Sequence, residues 1–206
     1  MTDTLTFYTN PMSRGRIVRW MLEEVGTNYE TEIIEYGAAM KSEPYSSINP
    51  MGKVPAIRHG DTVVTECAAI CAYLADAFPD AGLAPPLNQR AAYYRWLFFA
   101  AGPVESAVTM KGMGLDVPED KRRMSGFGSM QAVVDTLEQA IEHSEYIAGH
   151  QFSAADVYLG AQIGWGLQFE TIEPRPVFVE YSKKVMARPA YKKAQELDDA
   201  AMPAQD

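Results

Sequence analysis

The sequence predicts an α/β domain followed by an all-helical one. Three observations carry this: a strand–helix–strand, loop, strand–strand–helix order of patterns up to residue 78, a Pro/Gly/Ala-rich stretch from Pro79 to Leu87, and only helix-period segments after it. Leu5 to Tyr8 is a short β-prone run that ends at the turn signals Asn10 and Pro11. From Arg16 to Val25, Ile17, Trp20, Met21 and Leu22 recur at helical spacing, and Gly26 supplies a stop. Tyr29 to Ile34 reads as a second strand, and Gly37 to Ser47 as irregular chain. Ala56 to His59 and Thr62 to Val64 are strands joined at the hairpin signal Gly60-Asp61. Glu66 to Phe78 is a helix with Ala69, Ile70, Tyr73, Leu74 and Ala77 on one face. The order implies a mixed four-stranded sheet with helices packed on it.

The stiff stretch at residues 79–87, with Pro85-Pro86, is the expected linker. It divides a first domain at 1–78 from a second at 88–206. Helices are expected from Gln89 to about Met110, about Phe127 to Ser144, Ser153 to about Gln168, Val177 to Ala187 and Ala190 to Asp198, with a frayed tail beyond Ala200. The Ser153–Gln168 segment is apolar nearly all round, as a helix buried inside a domain must be.

The 206 residues are 47% apolar and 22% charged, ordinary for a globular protein. A net charge of −9 argues against nucleic acid or anionic membrane as a partner, because phosphates reward clustered Lys and Arg. No apolar run approaches the roughly 20 residues that span a bilayer. Met1-Thr2-Asp3 lacks the features of a secretion signal, so a cytoplasmic location is expected. Cys67 and Cys71 lie four apart, on one face of a helix, and read as small buried thiols. Two ligands are too few for structural zinc.

The richest stretch is Asn49-Pro50-Met51-Gly52-Lys53-Val54-Pro55. Gly52 permits an unusual backbone angle, and Pro55 is a candidate cis proline opening a strand. An outward Val54 amide and carbonyl can pair with an extended peptide as a sheet edge would; the plainer alternative is a tight turn. Thr65-Glu66-Cys67 then opens a helix, where amides and the helix dipole attract an anion. Plain capping by Thr65 is the alternative there.

Together these residues resemble the cytosolic glutathione transferases, of bacterial type, with an Asn-Pro-x-Gly-x-Val-Pro run and a Glu-Ser pair at the start of a helix. The run is complete here; the pair is Glu66-Cys67, and a thiol is a poorer donor than a hydroxyl. Ser153-Ala154-Ala155-Asp156 resembles the family's capping box. Tyr181 followed by Arg188-Pro189-Ala190 resembles its terminal pattern. The resemblance implies a thioredoxin-like N-terminal domain, a C-terminal helical bundle, a homodimer, glutathione as co-substrate and no metal. It implies a detoxifying transferase that conjugates glutathione to small apolar electrophiles. The ligand would contact Lys53, Val54, Pro55, Glu66 and Cys67. Lys41 is a second candidate, behind Lys53, for the glycine carboxylate.

Such an enzyme must favour a thiolate over a thiol whose free pKa is about 8.5, at about 1.4 kcal/mol per unit. The family's donor is a tyrosine late in the first strand, or a serine or cysteine in the loop after it. Here Ser13 is favoured and Tyr8 is the rival, so the serine-type or tyrosine-type class stays open. Arg14 is a third candidate, as a cation near the sulfur. Ser13 also reads as a simple helix cap, and Arg14 and Arg16 as a solvated helix start. The second substrate is expected between the domains, among Met12, Tyr94, Trp96, Phe99, Met110, Phe127 and Trp165, rimmed by the loop from Lys111 to Gly126. Two other activities fit the same fold: a glutathione-dependent peroxidase or thiol reductase, and a non-catalytic glutathione-binding or partner-docking module. The loop from Thr9 to Arg16 has no cysteine, which argues against the reductase.

Overall fold

The computed structural model describes residues 4–203 and divides into two compact units. The first runs to Ala81 and takes in the chain again from Arg188; the second is Gly82–Ala187. Against the single helical domain expected at 88–206, the last helix packs with the first unit. The tail beyond Ala200 lies, from residue 204, outside the described residues.

In the first unit, β1 (Leu5–Thr9), β2 (Glu30–Ile33), β3 (Ala56–His59) and β4 (Thr62–Thr65) form a sheet of order β2-β1-β3-β4. β1 and β2 are parallel, while β1–β3 and β3–β4 are antiparallel. Between β1 and β2 runs α1 (Gly15–Val25), closed by Gly26 in a left-handed conformation. After β4 comes α4 (Cys67–Ala77). Phe7 stands opposite Ile57 in the register, and both are buried with Ile17, Met21, Leu22, Ile70 and Leu74. Cys71 joins this core as a free thiol, and burial pushes its pKa up to about 12.

The segment read as irregular contains two helical turns, α2 (Ala38–Lys41) and α3 (Tyr45–Ile48). Their four-residue length gives no periodicity to detect. On the opposite face of the sheet from Phe7, Tyr8 and Ala56 pack with Tyr45 and Ile48 of α3, and Val54 and Ile34 lie against that cluster.

The last helix, α10 (Pro189–Ala200), lies on α1. Tyr191 meets Trp20 edge-on at 4.8 Å between ring centres. Buried Arg19 donates from Nε to buried Asp198 at 2.9 Å, and from Nη1 to Tyr29 and Thr31. Burial raises the Asp198 carboxyl pKa, against the pull of Arg19.

In the second unit, α5 (Ala91–Phe99) and α6 (Glu105–Gly112) are joined by a π turn, Ala100–Val104, that absorbs Pro103. There follow α7 (Met130–Glu142), capped by Ser129, then α8 (Ala154–Gln168) and α9 (Pro176–Met186). α8 is buried along most of its length and begins with the expected capping box. The Asp156 carboxylate accepts from the Ser153 N–H and hydroxyl, the Ile147 N–H and the Tyr181 hydroxyl, at 2.8–2.9 Å. No helix among the described residues is long and apolar enough to cross a membrane.

Candidate functional site

Register fixes what meets at one end of the sheet. Tyr8 near the end of β1 stands opposite Ala56 at the start of β3, and Ala56 stands opposite Thr65 at the end of β4. The next residues outward are therefore the β1–α1 loop, Val54-Pro55 and Glu66-Cys67, three segments far apart in sequence.

The Val54–Pro55 peptide is cis. Among the described residues the Val54 N–H and C=O make no hydrogen bond, whereas the neighbouring Lys53 carbonyl makes two. Asn49 Nδ2 donates to that carbonyl at 2.8 Å and the Tyr45 hydroxyl at 2.5 Å. Asn49 Oδ1 also accepts the Met51 N–H at 3.1 Å. Pinning Lys53 on the inner side leaves the Val54 edge outside, half-exposed. Gly52 has a φ of +56°, and a Cβ there would stand 2.3 Å from the Met40 carbonyl oxygen, so only glycine fits. Lys41 Nζ donates to the Met51 carbonyl at 2.8 Å, binding the same loop from outside. Lys53 is exposed.

Glu66 is the N-cap of α4 with φ +68°, a left-handed angle that costs a non-glycine residue about 1–3 kcal/mol. The helix starts one residue later than capping by Thr65 requires, and no side chain caps it. Exposed Glu66 thus stands beside the first-turn amides of an 11-residue helix. Buried Cys67 turns its thiol onto the Arg14 carbonyl, Sγ to O 3.4 Å, linking α4 to the β1–α1 loop.

That loop is built on Asn10, which sequence reasoning read only as a turn signal. Its Nδ2 donates to the Ile34 carbonyl, its Oδ1 accepts the Met12 N–H, and its carbonyl accepts both the Ser13 N–H and hydroxyl. The Ser13 hydroxyl has one proton, given to Asn10 O at 2.7 Å, and its oxygen accepts the Gly15 N–H at 2.9 Å. Ser13 therefore acts as a turn cap. The Tyr8 hydroxyl has no hydrogen-bond partner among the described residues, and burial raises its pKa, so the phenol keeps its proton. Gly15 permits the tight start of α1, since a Cβ there would lie 1.9 Å from Thr9 Oγ1. Met12 is 62% exposed, with its carbonyl accepting the Tyr36 hydroxyl at 3.2 Å. Arg14 is exposed; Arg16 is not solvated as expected but hydrogen-bonded through all three guanidinium nitrogens.

The second-substrate candidates separate in the helical unit. Met110 and Phe127 line one cavity of about 210 Å³ with Leu115, Val117 and Met130. Trp96 is core, with half-buried Phe99 edge-on to it at 5.4 Å, while Tyr94 is exposed and Trp165 half-buried. The described residues hold no cluster of three or more His, Cys, Asp or Glu that could hold a metal ion.

Comparison with known proteins bears on the family and the fold. The family model for the glutathione S-transferase N-terminal domain matches residues 3–76. Glutathione S-transferase GstA of Escherichia coli O157:H7 is 30% identical over 145 residues, covering 67% of this chain and 71% of that protein. The crystal structure of a glutathione transferase from Methylococcus capsulatus superposes with a TM-score of 0.79 at 27% identity, covering 96% of this chain and all of that one. A glutathione transferase homologue from Sulfitobacter, solved with bound glutathione, gives a TM-score of 0.76 at 26% identity, covering 97% of this chain and 100% of that one. With its thioredoxin-like unit and its helical unit, the chain belongs to the glutathione S-transferases, a family of transferase enzymes.

Proposed function

We propose that this chain binds glutathione at the sheet end of its first unit and transfers the thiolate to small apolar electrophiles, as a cytoplasmic homodimer. The observation that carries the reading is the unpaired Val54 edge beside the first turn of α4. The Val54 N–H and C=O would take the cysteinyl backbone as a neighbouring strand does, with Pro55 against it. Glu66 would take the ligand ammonium, and the first-turn amides of α4, that of Cys67 among them, the carboxylate beside it. Lys53 would take the glycine carboxylate. Arg14 and Met12, both exposed on the β1–α1 loop, would border the sulfur.

The donor to the sulfur is Tyr8 in this account, reversing the order that sequence alone favours. A hydroxyl already spent on Asn10 cannot hold a thiolate without giving up the loop, whereas Tyr8 has its proton available. The bound thiol then loses its proton to solvent and sulfur bonds to the electrophilic carbon as that carbon's bond to its leaving group breaks, the group, a halide ion for an aryl halide, departing to solvent; the protein supplies position and charge stabilisation. The cavity at Met110 and Phe127 supports an apolar second substrate of about one ring, by comparison with the roughly 150 Å³ cavities known to admit benzene. Phe99, half-buried, is the other helical-unit candidate for contact with it. The dimer is supported by exposed Tyr94 and Phe98, one turn apart on α5, with exposed Leu87 before them.

The test is the thiolate absorbance of bound glutathione against pH in Tyr8→Phe and Ser13→Ala. Tyr8→Phe should raise the thiol pKa by about one unit, the worth of one charge-assisted hydrogen bond. Ser13→Ala should cost about 1 kcal/mol of stability and leave that pKa in place. The reverse result returns the role to Ser13.

A further inference from the structure

We propose that Arg16 is a positioning residue through which the C-terminal helix sets the geometry of the β1–α1 loop at the sulfur; this rests on the reading of the site above. Arg16 lies in the first turn of α1. Its Nε donates to the Pro11 carbonyl at 2.6 Å, Nη1 to Gln195 Oε1 at 2.6 Å and Nη2 to Asp199 Oδ1 at 2.8 Å. One planar guanidinium thus joins a loop carbonyl to two side chains of α10, and its rigid fork fixes the three directions together. Pro11 precedes Met12, whose amide is held by Asn10, so the Pro11 carbonyl and the turn that carries Met12 and Ser13 move as one piece.

The α10 end of the link is itself held. Gln195 Nε2 donates to the Tyr191 hydroxyl at 2.6 Å, and the Tyr191 ring meets Trp20 of α1. Anchoring α10 does not require Arg16, because Arg19–Asp198, Lys193–Glu23 and the two-bond Arg188–Glu24 pair do that elsewhere along α1. None of these three pairs includes a residue of the loop. Asp199 has a side chain 66% exposed, so its ion pair adds little stability, and what it adds is direction. Anchor and link are therefore separable by mutation.

The experiment compares Gln195→Ala/Asp199→Ala with Lys193→Ala, which removes an anchor and leaves the link. Three quantities are read: the thiol pKa of bound glutathione, kcat/KM for an apolar aryl halide, and amide hydrogen exchange at Met12 and Ser13 without glutathione. The double variant should raise the pKa, lower kcat/KM roughly tenfold, less than the hundredfold a full 1 Å misplacement can cost, and speed exchange at both amides. Arg16→Lys, which keeps the charge and loses the fork, should behave alike. Lys193→Ala should leave all three quantities as in the parent. If the double variant matches Lys193→Ala throughout, the proposal is overturned. Should the parent protein bind no glutathione, the reading of the site fails instead, and exchange at Met12 and Ser13 still decides the link: faster exchange upholds it and unchanged exchange rejects it.

Discussion

Glu66 concentrates the energetics of the site in one backbone angle. At φ +68° it occupies a conformation that glycine adopts freely and that costs glutamate about 1–3 kcal/mol. A solvent-exposed side chain at a strained N-cap, with no capping bond to compensate, points to a role outside folding. Glu66→Gly should therefore hold stability or raise it by about 1 kcal/mol in thermal melts, while calorimetric titration shows weaker glutathione binding. A variant that melts lower yet binds as well would show that the glutamate is there for the fold. Cys67 is the complementary case, since its thiol is turned onto the Arg14 carbonyl and joins two site segments. The run from Asn49 to Pro55 was legible because its chemistry lies in adjacent residues. Asn10, Tyr45 and Arg16 were not, because what each does depends on a partner supplied by the tertiary fold: Ile34, Lys53 and Gln195.

At the scale of elements, α8 shows how a buried helix start is secured. Asp156 is fully buried, and burial pushes its carboxyl pKa up while four hydrogen bonds pull it down. Asp156→Ala would strand the Ile147 N–H, the Ser153 N–H and the Tyr181 hydroxyl in the core. Denaturant unfolding should register a loss on the order of 3 kcal/mol or more. A loss under 1 kcal/mol would mean that water replaces the carboxylate. The capping pattern was visible in sequence, and the strands and long helices came through within a few residues, because each is marked by periodicity or a stop. The short helical turns at Ala38–Lys41 and Tyr45–Ile48 were missed for want of a full period, although α3 supplies the Tyr45 that holds the site loop.

For the whole molecule, the division into units follows packing more closely than sequence order, since α10 returns to α1 through a set of ion pairs that no local pattern announces. Phe98 is 71% exposed on α5, and Phe98→Glu should convert the proposed dimer to monomer by light scattering, with helical content unchanged. A parent protein that is already monomeric would remove that part of the account.

The most direct measurement is a crystal structure with glutathione bound. In it the cysteinyl amide and carbonyl should pair with the C=O and N–H of Val54, and the sulfur should lie within hydrogen-bond reach of the Tyr8 hydroxyl. Glutathione found elsewhere, with the Val54 groups still unpaired, would contradict it.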